Sequence, residues 1–253
     1  MASHAPAACC LQGFRHEGES KGTIEILADF EVYIAHPAEK SELRGLLFFS
    51  DVLGHSFINS QILADQFAAQ GFLVMLPDLF YGDSLPLTPN PGLDIMKWAA
   101  GEYNEKKIPH NPSTVDPIVE KCITELREKY KCQTVAAVGY CFGAKYVIRN
   151  LKLSSQKVDV GFIAHPSFVD NKEVELIRAP LAIAAAETNR VFPAEKRHET
   201  EAILMGLGLP YQLNLYSGVE HGFALRGDLT KPVQKYAKES AFALACHWFE
   251  AHT

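Results

Sequence analysis

Short apolar runs alternate along this chain with stretches in which apolar residues recur at helical spacing, the pattern of a parallel sheet covered by helices on both faces. Residues 45–50 (GLLFFS) read as a buried strand, 56–70 as a helix stopped by Gly71, and 72–77 (FLVMLP) as the next strand. A helix from about 116 to 129 leads to a strand at 134–139, a sharp turn, and a helix reaching about Asn150. Strands at 160–165, 181–186 and 211–216 follow, with helices at 194–207 and 231–251. The expected architecture is one α/β domain spanning residues 1–253, a doubly wound, mostly parallel sheet with helices on both faces.

One segment breaks the pattern. Residues 78–112 are rich in Pro, Gly, Asn and Asp, with room for only a short helix around 94–102. The segment leaves the carboxyl end of a predicted strand, where open α/β sheets bind ligands, so it is expected to act as a lid or pocket wall.

Composition narrows the function classes. A formal charge of −6, with no basic stripe, argues against nucleic acid, and no apolar tract is long enough to span a bilayer. The N-terminal dozen residues do not form a signal peptide, and six cysteines with no CxxC pair fit reduced thiols in the cytoplasm. Adjacent Cys9 and Cys10 have no legible role, and no metal-ligand grouping stands out.

The chemistry concentrates at Gly139-Tyr140-Cys141-Phe142-Gly143, a Gly-x-Cys-x-Gly pattern between a predicted strand and helix. This is the nucleophile elbow of α/β-hydrolases with Cys where Ser is more common. Its bend crowds the positions two residues either side of the nucleophile, which Gly139 and Gly143 satisfy. The helix N-terminus favours a Cys141 thiolate, and the Phe142 amide can face an oxyanion. On this reading Cys141 is the fastest-alkylated of the thiols.

In such a fold the acid and then the histidine follow on later strand ends. His221, after the strand at 211–216, stands where the base belongs. His165 also ends a strand and is a pocket-wall candidate. After the strand at 181–186 the chain supplies Glu187 and Asn189 but no Asp.

With these residues assembled, the chain resembles the dienelactone hydrolase family, most closely its fungal-type branch. The shared stretches are Ser50-Asp51-Val52-Leu53-Gly54, Leu76-Pro77-Asp78-Leu79-Phe80, the elbow, Phe192-Pro193-Ala194-Glu195 and His221-Gly222-Phe223. The resemblance implies a Cys-Asp-His triad in which Cys141 and His221 match and Asn189 falls on the Asp. It also implies that Asp51 replaces a Glu that helps form the thiolate, and that the Val52 amide joins Phe142 in the oxyanion hole. A substrate-binding arginine of the family would fall on Leu225, one residue before Arg226.

Three readings of the third triad position stay open. Asn189 orients His221, as an Asn does in papain-type proteases; Glu187 supplies a carboxylate; or hydrolysis is weakened in favour of another role. The expected activity is hydrolysis of a small lactone or ester through a thioester, with a small-molecule substrate, no cofactor and no metal. A homodimer is left open. The alternatives are a non-hydrolytic enzyme, such as a cyclase, lyase or isomerase, and a ligand-binding protein on the same scaffold.

Overall fold

The structure, a computed structural model, describes residues 1–38, 44–89, 92–152 and 158–253. Its strands are β1 (Thr23–Leu27), β2 (Phe30–Ala35), β3 (Arg44–Phe49), β4 (Leu73–Pro77), β5 (Thr134–Tyr140), β6 (Val160–Ala164), β7 (Leu181–Thr188) and β8 (Tyr211–Glu220). They form one sheet in the order β1-β2-β4-β3-β5-β6-β7-β8. Pairs β1–β2 and β2–β4 are antiparallel, and every later pairing is parallel. The helices are α1 (Ile58–Ala69), α2 (Ile95–Ala99), α3 (Pro112–Thr124), α4 (Ala144–Asn150), α5 (Asn171–Glu175), α6 (Ala194–Leu207), α7 (Phe223–Arg226) and α8 (Pro232–His252).

Alternation along the buried strands divides the core between the two faces. Leu46 and Phe48 of β3 pack with α1 and α8, while Leu47 and Phe49 pack with α3, α4, α5 and α6. This is the doubly wound α/β-hydrolase fold. Among the described residues, no helix is long and apolar enough to cross a membrane.

Two boundaries differ from expectation in instructive ways. Helix α3 starts four residues before the predicted 116, because the Asn111 side chain caps the Ser113 amide and Pro112 opens the first turn. Strand β8 continues past 216 to Glu220, pairing Thr188 with Glu220 beyond a bulge between Ala186 and Thr188. Because those two residues are paired, the next positions, Asn189 and His221, leave the sheet side by side.

Of the 78–112 segment, 90 and 91 lie outside the described residues; the remainder sits at the carboxyl edge of the sheet. Leu85 N donates to Val52 O at 2.8 Å. The Phe80 and Trp98 rings lie 5.1 and 6.1 Å from that of Phe142.

Candidate active site

Strand β5 ends in extended Tyr140, and the chain then reverses through Cys141 at φ 51° into a single 3-10 turn that runs on into α4. A left-handed conformation in a residue with a side chain stores strain, which the surrounding packing must hold. The two glycines are sterically required. A Cβ on Gly139 would lie 2.7 Å from Gly143 O, and one on Gly143 would lie 2.1 Å from Phe49 O in central strand β3.

His221 faces this turn from the end of β8, and Asn189 from the end of β7. His221 Nδ1 lies 3.1 Å from Asn189 Oδ1, which also accepts from the Val191 and Phe192 amides at 3.0 Å each. Those two donors identify the oxygen of the amide group, so His221 Nδ1 must carry a hydrogen, and Nε2 is the ring atom turned toward the thiols, where it can exchange a proton with them. Asn189 Nδ2 is buried without a partner among the described residues. Glu187 goes elsewhere: the bulge breaks the strand alternation, its side chain is exposed, and Oε2 accepts from Gly218 N at 2.8 Å.

The structure adds a part that carried no sequence signal. The N-terminal segment crosses the carboxyl edge as a strap, tied by Ser3 N to Val169 O at 3.0 Å, His4 N to Val191 O at 2.7 Å and Phe14 N to Arg226 O at 3.0 Å. A 3-10 turn at Ala8–Leu11 places Cys10 Sγ 3.3 Å from His221 Nε2 and 3.4 Å from Cys141 Sγ. Ser167 Oγ lies 3.5 Å from Cys141 Sγ on the other side.

Burial works against ionisation of Cys141. The hydrogen bond from Cys10, with the charges of His221 and Arg226, nevertheless holds its thiol well below the usual cysteine range. Cys141 and Cys10 share one hydrogen bond between their sulfurs, and the Cys10 thiol is pushed well up by its bonds to Cys141 and Cys9.

The burial of the thiols bears on the expected order of alkylation. Cys141 is 0% exposed behind Cys10, whereas Cys9 is half-buried and its thiol is lowered to about 6, chiefly by a hydrogen bond from Cys10. Low pKa and access coincide at Cys9, so peptide mapping after brief alkylation is expected to find Cys9 labelled before Cys141. The fold also makes a grouping the sequence does not show: ligand atoms of Cys9, Cys10 and His221 lie within 4.8 Å of one another.

Asp51 and Arg226 form a fully buried ion pair, with Arg226 Nη1 2.6 Å from Asp51 Oδ2. Burial pushes the Asp51 carboxyl up, and the guanidinium beside it opposes that push. The same Nη1 donates to Cys10 O at 2.7 Å, so Arg226 is an internal clamp between the strap and the turn after β3. Its Nε and Nη2 have no partner among the described residues. His165 likewise lies under the base and lines none of the cavities described here: its fully buried ring packs 4.9 Å from that of His221. Burial, followed by the charges of His221 and Arg226, holds it neutral.

Two cavities border the centre. One of about 230 Å³ is lined by Cys9, Phe14, His221, Phe223, Arg226 and Lys231 among others. The second, about 270 Å³ and largely apolar, lies beyond Phe142 against Met96, Ala99, His110, Tyr146 and Phe168.

Comparison with known proteins identifies the family. The profile of the dienelactone hydrolase family matches residues 30–253. Hydrolase tropI of Talaromyces stipitatus is 52% identical over 252 residues, covering 100% of this chain and 98% of that one. Hydrolase pyvD of Aspergillus violaceofuscus is 44% identical, covering 100% and 99%. Among solved structures, a dienelactone hydrolase from Anabaena variabilis superposes with a TM-score of 0.65 at 12% identity, covering 94% of this chain and 99% of that one, which shows the shared fold.

Proposed function

The chain belongs to the dienelactone hydrolase family, and we propose from that premise that it hydrolyses a small lactone or ester through a thioester on Cys141. The single observation that carries the reading is the convergence of three groups. The strained Cys141 thiol at the elbow and His221 Nε2 lie 3.4 and 3.3 Å from the same Cys10 sulfur, and Asn189 orients the His221 ring from its other nitrogen.

Cys141 attacks the carbonyl carbon, and negative charge passes to the carbonyl oxygen. The Phe142 amide at the start of the helical turn meets that oxygen together with the Val52 amide. The flanking Leu53 and Gly54 amides are tied to Asp51, which leaves the amide of Val52 for substrate. His221 Nε2 takes up the Cys141 thiol proton, delivers it to the departing alkoxide, and then takes one from the water that cleaves the thioester. Residues 78–112 wall the pocket on the Phe142 side. Cys10 must move aside for a carbonyl to reach the nucleophile, so the strap gates the reaction.

With a slowly hydrolysed aryl ester, mass spectrometry should find the acyl group on the Cys141 peptide. Turnover with acyl found on Cys9 alone, or on no cysteine, would refute the mechanism.

The third position gives a second test. Asn189→Asp keeps an acceptor for the Val191 and Phe192 amides and for His221, and the Nδ2 it removes has no partner. Its kcat is therefore expected to equal or exceed that of the wild type. Asn189→Ala should lower kcat by about tenfold to a hundredfold, as loss of the group orienting an active histidine does. Glu187→Gln should change little, and damage there with a mild Asn189→Ala would reverse the assignment.

A further inference from the structure

Cys9 and Cys10 are not required by the hydrolytic mechanism, yet the strap carries both to the base. A Cys-His pair alone offers a cation two ligands. The turn at Ala8–Leu11 supplies two more sulfurs, and the ligand atoms of Cys9, Cys10 and His221 all lie within 4.8 Å of one another. We propose that Cys9, Cys10 and His221 form a binding site for a soft divalent cation of the zinc type, and that an ion held there locks the strap over Cys141 and stops hydrolysis.

The geometry fits. Zinc–sulfur and zinc–nitrogen bonds of about 2.3 and 2.1 Å place tetrahedral ligands roughly 3.6 Å apart. The Cys10–His221 contact of 3.3 Å needs only a small expansion. A water can fill the fourth position.

The histidine is prepared in the way metal-binding histidines are. Asn189 Oδ1 takes the Nδ1 hydrogen, and Nε2 is turned toward the thiols. Arg226 Nη1 on Cys10 O, and Phe14 N on Arg226 O, fix the backbone that carries the two cysteines.

Binding involves no redox change. The ion gains two Cys–metal bonds and one His–metal bond, and the remaining thiol protons of Cys9 and Cys10 pass to solvent. Occupation removes the His221 lone pair from the reaction and pins Cys10 where the substrate carbonyl must enter.

The locking half of the proposal rests on the hydrolase reading; the binding half does not. The test uses the full chain, metal-stripped and reduced with a phosphine, titrated with Cd²⁺ while the thiolate-to-cadmium charge-transfer absorption is followed. One equivalent should saturate the band. Cys9→Ser and Cys10→Ser, each isosteric and checked by circular dichroism, should weaken binding on the order of a hundredfold. Zn²⁺ should displace Cd²⁺, and it should inhibit the wild-type hydrolase reversibly, with chelator restoring activity and Cys9→Ser needing correspondingly more Zn²⁺.

Cys141→Ala separates the two halves, because it should retain the cadmium band whatever becomes of hydrolysis. Absence of a band at one equivalent would overturn the proposal. So would unchanged affinity in both serine variants, or Zn²⁺ inhibition equally strong in Cys9→Ser, since the ion would then sit on the Cys141–His221 pair alone.

Discussion

Cys141→Ala is expected to lower kcat/KM for ester or lactone hydrolysis by about 10⁴-fold or more, with the far-ultraviolet circular dichroism unchanged. Alanine keeps the Cβ, and hence the φ 51° conformation of the elbow, while removing the atom that bonds to the substrate. Oxyanion donors and the binding pocket survive, so a small residual rate over water should remain. A panel of aryl esters and small lactones assayed with wild type and variant decides the matter. Rates within tenfold of each other would remove Cys141 from the chemistry. A wild type inert toward the whole panel would favour the non-hydrolytic or ligand-binding use of the same pocket.

Arg226→Met should destabilise the fold by about 3–5 kcal/mol at neutral pH, the usual consequence of leaving one member of a buried ion pair without its counter-charge. Both side chains are 0% exposed, so water cannot take the place of the guanidinium at Asp51. The loss should also free the strap, since the same nitrogen holds the Cys10 carbonyl. Urea unfolding measures the first effect, and faster alkylation of Cys10 in the native state reports the second.

The pH dependence of the deficit has a definite sign. Burial already raises the Asp51 carboxyl, and removing Arg226 raises it further. The variant's native state therefore holds that proton more tightly than its unfolded state. The deficit should grow as pH rises above the ordinary carboxylate range, from the wild type's raised value toward the variant's higher one, and shrink below it. A deficit under 1 kcal/mol, or one that is flat with pH, would show Asp51 to be neutral in the wild type.

What the sequence could reveal depended on how local each signal was. Parallel strands β3 to β7 announce themselves as unbroken apolar runs because both faces are buried, and the elbow is legible because its steric demands fall within five consecutive residues. The hairpin β1–β2 escapes for the opposite reason. Ile24 and Ile26 stand 49% and 68% exposed, so β1 has no buried face to give it a pattern. Asn189 and His221 could be placed by chain order, but the choice of Asn189 over Glu187 required the bulge after Ala186, a product of pairing with β8. Arg226 was visible only as a near miss to a substrate-binding position. Its role as a clamp depends on Asp51 and Cys10, respectively 175 and 216 residues away. The strap is the extreme case, since residues 1–14 have no periodicity and the contacts that tie them to the sheet edge are distant in sequence.

That distance has a consequence for the order of assembly. The Val169–Ser3 bond closes a loop of 166 residues, and Arg226–Cys10 one of 216. Contacts so far apart along the chain have a large closure entropy to overcome and form only after nearer ones have drawn the ends together. Their docking sites are the finished edges of β6, β7 and β8. The sheet with its catalytic groups therefore comes together first, uncovered, and the strap settles on it as a separate, later event. Once native, the strap remains a short segment bordering solvent, with exposed positions such as Met1, His4 and Phe14 between its buried anchors. It is the part that local opening releases at the lowest free energy, while the scaffold beneath stays folded.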